Sequence, residues 1–132
     1  MLRTAVALLV LWVAAAVPLV PATATGPWRT EASARAYLAG DYEVHGENPN
    51  GDGTYAGTVS VWPYGDTYIV QCTIGPQVFI GTGIVAGEWL AVGYDGGTAV
   101  YRIGKDGVLD GIWAISGGDA LGSEMWTPIS TR

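Results

Sequence analysis

Residues 75–94, GPQVFIGTGIVAGEWLAVGY, constrain the fold more than any other stretch of the chain. Val78, Ile80, Thr82 and Ile84 alternate with Phe79, Gly81, Gly83 and Val85. Ala86-Gly87-Glu88 interrupts the pattern. Leu90, Val92 and Tyr94 then alternate with Trp89, Ala91 and Gly93. Period-two alternation broken by a glycine turn is the pattern of two strands joined as a hairpin.

The same pattern recurs on both sides. Strands are expected over residues 41–46, 54–62 and 67–74, then the central pair 78–85 and 89–94, then 98–103, 108–114 and 121–127. Short turns rich in glycine, aspartate and proline separate most of them. Connections this short keep each strand beside its sequence neighbour, which makes an antiparallel up-and-down meander. Closing the meander removes its two edge strands. Gly57, Gly81, Gly83, Gly93, Gly111 and Gly122 stand inside strands, where a small barrel needs sharp bends. The expected fold class is therefore all-β, a closed eight-stranded barrel. On this reading Gly83→Val harms folding, while Gly51 in the first loop accepts alanine provided its φ is negative.

The N-terminus reads as a targeting segment. Arg3 precedes an apolar run over residues 5–17, and Ala22-Thr23-Ala24 has the small-x-small form of a cleavage site. A signal peptide is expected over residues 1–24. A lead segment, 25–40, follows. Thr30 could cap a short helical turn there, with Glu31 at its positive end and Gly40 at its close. The barrel domain takes residues 41–132. This implies an exported protein, periplasmic or extracellular. Pro18 and Pro21 break the apolar run before it reaches the ~20 residues of a membrane span. The strands are also short beside the ~9–11 residues of a transmembrane barrel strand. No stable membrane insertion of the mature chain is expected.

The formal net charge is −6, and cleavage after Ala24 would remove Arg3 as well. Nucleic acid as a partner needs a basic footprint, which is missing. The single cysteine, Cys72, excludes a disulfide within one molecule. It shares the phase of Tyr68, Val70 and Ile74, which makes it a core thiol.

Several constellations bear on chemistry. Asp41, Glu43, His45 and Glu47 share one face of the first strand. They read as a solvated face before they read as a metal site. Asn48, Asn50, Asp52 and Gly53 match the start of a calcium loop, but Val59 stands where its bidentate glutamate belongs. His45 is the single histidine, and no Gly-x-Ser-x-Gly elbow exists to use it. No metal, no cofactor and no catalysis are expected. Aromatics are the better binding groups: Trp62, Trp89, Trp113 and Trp126 either line a cavity or form an outer platform. Trp89, beside the Gly87-Glu88 turn, and Tyr64 are the candidate ligand-binding residues.

A further set of motifs carries a family resemblance. These are Gly46-Glu47-Asn48-Pro49-Asn50-Gly51, Tyr55-Ala56-Gly57-Thr58-Val59, Gly81-Thr82-Gly83-Ile84, Leu90-Ala91-Val92-Gly93-Tyr94, Tyr101-Arg102-Ile103-Gly104, Gly107-Val108-Leu109-Asp110-Gly111-Ile112-Trp113, and Gly122-Ser123-Glu124 with Thr127-Pro128. In them the chain resembles a small family of exported bacterial proteins, some labelled fibronectin-binding protein, from about Tyr42 to Pro128. The resemblance implies an extracellular-matrix or host protein as ligand. The expected function is an exported, non-enzymatic binding or structural module. One alternative is a carrier of a small apolar ligand inside the barrel. Another is an enzyme using the carboxylates of the first strand. Whether the barrel interior is empty separates these readings.

Overall fold

The computed structural model describes residues 37–129. The expected signal peptide, and the lead segment as far as residue 36, lie outside the described residues. Tyr37 and Leu38, the described end of the expected helical turn, are helical.

Eight strands follow: β1 (Gly40–Glu47), β2 (Thr54–Tyr64), β3 (Thr67–Ile74), β4 (Gln77–Ala86), β5 (Trp89–Tyr94), β6 (Gly97–Ile103), β7 (Leu109–Ile115) and β8 (Gly122–Pro128). Each pairs antiparallel with its sequence neighbour, and β1 closes on β8, from Tyr42 opposite Pro128 to Glu47 opposite Ser123. The result is a closed up-and-down barrel with no free edge in the described residues. Two-residue turns join β2–β3, β3–β4, β4–β5 and β5–β6, and longer connections join the rest. Gly75 and Gly87 sit first in their turns with φ of 55° and 60°, a conformation that an L-residue adopts at a cost.

Alternation decides what lies inside. Tyr42 and Val44 of β1, Val59 and Val61 of β2, Tyr68, Val70 and Cys72 of β3, and Leu90 and Val92 of β5 are buried. So are Ala99, Tyr101, Leu109 and Trp126. Most of these side chains fill one half of the barrel, and Cys72 and Tyr101 reach the boundary of the other. Leu38 covers the filled end: it is buried, and its carbonyl accepts a 2.8 Å bond from the Tyr42 hydroxyl. The Tyr37 hydroxyl donates to the Lys105 carbonyl at 3.3 Å, and the Ile129 amide donates to the Asp41 carbonyl at 2.9 Å. The N-terminal turn, the turns β2–β3, β4–β5 and β6–β7, and the end of β8 thus share the closed end.

At several strand glycines, Gly57, Gly97 and Gly111, a backbone carbonyl of the neighbouring strand comes close, and Gly57 is the tightest. A Cβ on Gly57 would lie 2.1 Å from the Thr73 carbonyl oxygen. At Gly83 the nearest atom would be Leu90 Cδ1 at 3.1 Å, which a side-chain shift relieves more easily. Gly51 corrects the sequence reading: its φ is +71°, so alanine there is strained although space is open. Gly57→Ala is expected to cost about 3 kcal/mol or more through the carbonyl clash, and Gly51→Ala about 1 kcal/mol through its φ. Denaturant midpoints of the two variants check the order, and equal midpoints would contradict it.

Candidate functional site

The half of the barrel opposite Leu38 is not filled. A cavity of about 530 Å³ opens between the connections β1–β2, β3–β4, β5–β6 and β7–β8. Tyr55, Cys72, Ile74, Phe79, Tyr94 and Trp113 form much of its wall. Asn48, Gln77 and Asp95 stand at its mouth, and Tyr101 and Glu124 also line it. This volume lies within the ~300–1,000 Å³ typical of small-molecule sites.

Glu124 has the most unusual setting of these residues. It is 8% exposed, and it is the buried charged residue of the interior. Its Oε2 accepts a hydrogen bond from the Tyr55 hydroxyl at 2.5 Å. Its Oε1 accepts from the Tyr101 hydroxyl at 2.9 Å and from Trp126 Nε1 at 2.5 Å. A carboxyl group that accepts three bonds and donates none acts as a carboxylate.

Strand register makes this arrangement possible. Glu124 of β8 stands opposite Gly46 of β1 on one side and Gly111 of β7 on the other. Tyr55 is opposite Gly46, and Tyr101 is opposite Gly111. The missing side chains leave room for both rings. A Cβ on Gly46 would fall 2.0 Å from Tyr55 Cζ, and one on Gly111 would fall 2.4 Å from Tyr101 Cδ1. Each ring lies across its glycine and brings its hydroxyl to the carboxylate between them. Gly122 does the same for Trp113, whose ring would meet a Cβ there at 2.2 Å.

Ring contacts fix the floor. Tyr101 and Trp126 have centroids 4.1 Å apart, and Tyr42 packs on the far side of Trp126 at 5.9 Å. In the wall, Tyr55 meets Trp113 edge-on at 6.4 Å. Burial makes these groups weaker acids by raising their pKa values. Tyr55, Tyr94 and Tyr101 are raised well above the usual tyrosine value of 10.0, through desolvation first and the nearby Glu124 in addition. Desolvation also lifts Tyr42 to about 12 and the Cys72 thiol to about 12, with Glu124 contributing at Cys72. Cys72 is a free, buried thiol, as its strand phase implied.

The residues singled out from sequence lie elsewhere. Tyr64 is 70% exposed at the end of β2, and Trp89 is 46% exposed at the start of β5. Both belong to the closed end, with β3 and β4 between their strands, and neither lines the cavity. Of the other tryptophans, Trp126 is core, Trp113 is cavity wall and Trp62 is exposed. Asp41, Glu43, His45 and Glu47 all point outward, and Asp41 accepts a 2.6 Å bond from the Ser60 hydroxyl. No group of three or more histidine, cysteine or acidic side chains is placed to hold a metal among the described residues. The loop after β1 forms a short 3-10 turn, Pro49–Gly51, closed by a 2.9 Å bond from the Asn48 amide to the Gly53 carbonyl. Sequence reasoning missed Glu124. The available signal was its phase: Gly122, Glu124 and Trp126 alternate together, so a residue in step with a core tryptophan must face inward.

Comparison with known proteins adds the fold alone. No family model matches the chain. No curated protein matches it. A solved structure titled REP1-NXSQ fatty acid transporter is similar in fold, with a TM-score of 0.50 at 11% identity; the match covers 74% of this chain and 99% of that one.

The raised tyrosine pKa values set the alkaline behaviour. Tyr42, Tyr55, Tyr94 and Tyr101 hold their protons more tightly folded than unfolded. Their contribution to stability is complete below the unfolded value of 10.0 and is lost as pH rises through the folded values. Denaturant midpoints are therefore expected to fall steadily once pH passes 10.0. Phenolate absorbance of these residues should appear together with unfolding. Full tyrosine ionisation near pH 10.0 with an unchanged midpoint would contradict this.

Proposed function

We propose that the protein is a non-catalytic binding protein that holds one small, largely apolar molecule in the open half of its barrel. The observation that carries this reading is the unfilled interior of about 530 Å³, walled by Tyr55, Ile74, Phe79, Tyr94 and Trp113. A packed barrel of this size closes its interior with side chains or holds one small ligand. Here the two solutions are split between the two ends. The structural neighbour titled a fatty acid transporter accords with using such a barrel as a container. Export remains part of the reading through the N-terminal sequence, so the ligand would be met in the periplasm or outside the cell.

The neutral apolar dye N-phenyl-1-naphthylamine tests this directly. It is expected to bind saturably, one molecule per chain, with a rise in emission. Because Cys72 lies in the cavity wall, bound dye should also slow the already slow labelling of that thiol. Non-saturable binding, or binding that leaves the Cys72 rate unchanged, would overturn the assignment.

A second reading follows from the outer surface. Tyr64 and Trp89 present exposed rings on rigid strands at the closed end. Such aromatics dominate protein–protein hot spots. They support docking of an extracellular protein such as fibronectin, in line with the family resemblance. Tyr64→Ala and Trp89→Ala are expected to lose retention on a fibronectin surface by about tenfold or more, with stability within about 1 kcal/mol of the parent. A parent protein that is not retained on that surface removes this reading.

A further inference from the structure

The cavity has a polarity of its own, and it is one-sided. The Tyr55 and Tyr101 hydroxyl protons are both committed to Glu124. Their oxygens are therefore left with acceptor capacity alone, shared with Trp113 beside Tyr55 and with Tyr94 beside Tyr101. A carboxylate offers about four lone-pair positions, and Glu124 uses two on Oε1 and one on Oε2. One acceptor position on Oε2 is left. The Thr98 hydroxyl donates to the Val92 carbonyl, and the Asn48 amide donates to the Asp52 carbonyl. Trp113 Nε1 is sealed in the wall beside the Tyr55 hydroxyl. The Tyr94 hydroxyl also lines the cavity and is engaged with Tyr101. The open position on Glu124 Oε2 is thus the strongest acceptor of the polar floor.

Charge points the same way. No lysine, arginine or histidine lines the cavity. Among residues 37–129 the basic side chains besides outward-facing His45 are Arg102 and Lys105. Both lie at the closed end: Arg102 Nε is 3.7 Å from Glu88, and Lys105 is in the β6–β7 turn. The connections around the mouth carry Asp52, Asp95 and Asp119 instead. A mouth of one sign over a low-dielectric interior concentrates ions of the other sign.

We infer that the cavity selects an apolar molecule whose buried end is a hydrogen-bond donor, best a protonated amine, and that it rejects carboxylate amphiphiles. The inference rests on the cavity being a binding site. An ammonium group at the floor fills the open position on Glu124 Oε2 and meets the Tyr55 and Tyr101 oxygens. The Tyr55, Tyr101 and Trp113 rings add cation–π attraction. A carboxylate in the same place faces Glu124 and two acceptor oxygens, with no cation to offset it.

Three probes with the same tail separate the possibilities: decylamine, decanol and decanoate, each below its micelle concentration, titrated against dye-loaded full-length protein. Decylamine is expected to displace the dye about tenfold or more tightly than decanoate, since a charge-assisted bond exceeds a neutral one by about that factor. Decanol should fall between them. Added salt should weaken decylamine and leave decanol unchanged. Glu124→Gln keeps the side-chain volume and should erase most of the amine preference while dye and decanol still bind. The ranking on unmodified protein stands without that variant, so a variant that fails to fold does not hide the answer. Decanoate binding as tightly as decylamine overturns the inference and leaves the container reading intact. Failure of the dye and all three probes to bind overturns both.

Discussion

A row of paired residues, Tyr55–Gly46–Glu124–Gly111–Tyr101, runs across β2, β1, β8, β7 and β6. It buries a carboxylate, and burying a charge is costly unless every part of it is hydrogen-bonded. The flanking glycines let two tyrosine rings fold inward over them, and Trp126 supplies the third donor. Truncating Glu124 would leave those donors without their partner, at about 1–3 kcal/mol each. The row also crosses the seam where β1 meets β8. Closure of the barrel and full solvation of the carboxylate are thus linked: Tyr55 reaches Glu124 only across the β1–β8 seam, whereas Tyr101 reaches it through β7.

That row divides the interior. Toward Leu38 lie Val44, Val61, Val70, Leu90 and Leu109, which pack without need of polar partners. Toward the other end lie Tyr55, Tyr94 and Trp113, large rings that pack against the core on one side only. Small side chains on both sides of Glu124 are required by the tyrosines, and the same small side chains keep the upper half from filling.

The strand phases were legible in the sequence because alternation is a local property. β3 runs over the residues expected from it, and the inward set Tyr68, Val70 and Cys72 follows from period two alone. Turn glycines fixed the strand order, since two-residue connections leave no other neighbour. Glu124 was harder to see. Its own strand places it inward, but a charge in a short strand reads as a surface residue unless its neighbours across the sheet are known. Those neighbours are Gly46 and Gly111, distant in sequence and joined to it only through register and closure. Tyr64 and Trp89 illustrate the converse. Their aromatic character was visible, while their place at the closed end depends on Leu38 and Tyr37, which cap that end from outside the strand pattern.

The same physics bears on what a ligand would meet. The buried carboxylate is served only by neutral donors, and its charge has no counter-ion among the described residues of the interior. The donors that solvate it have turned their own oxygens outward as acceptors. Solvating the charge therefore propagates its sign to the surface of the floor, one hydroxyl further into the cavity. A wall of aromatic rings adds negative faces to this. The acidic mouth adds the long-range part. Each layer, from Glu124 to Tyr55 and Tyr101 to Asp95, presents the same polarity to an incoming molecule, so chemical preference at the floor and electrostatic attraction at the mouth act in one direction.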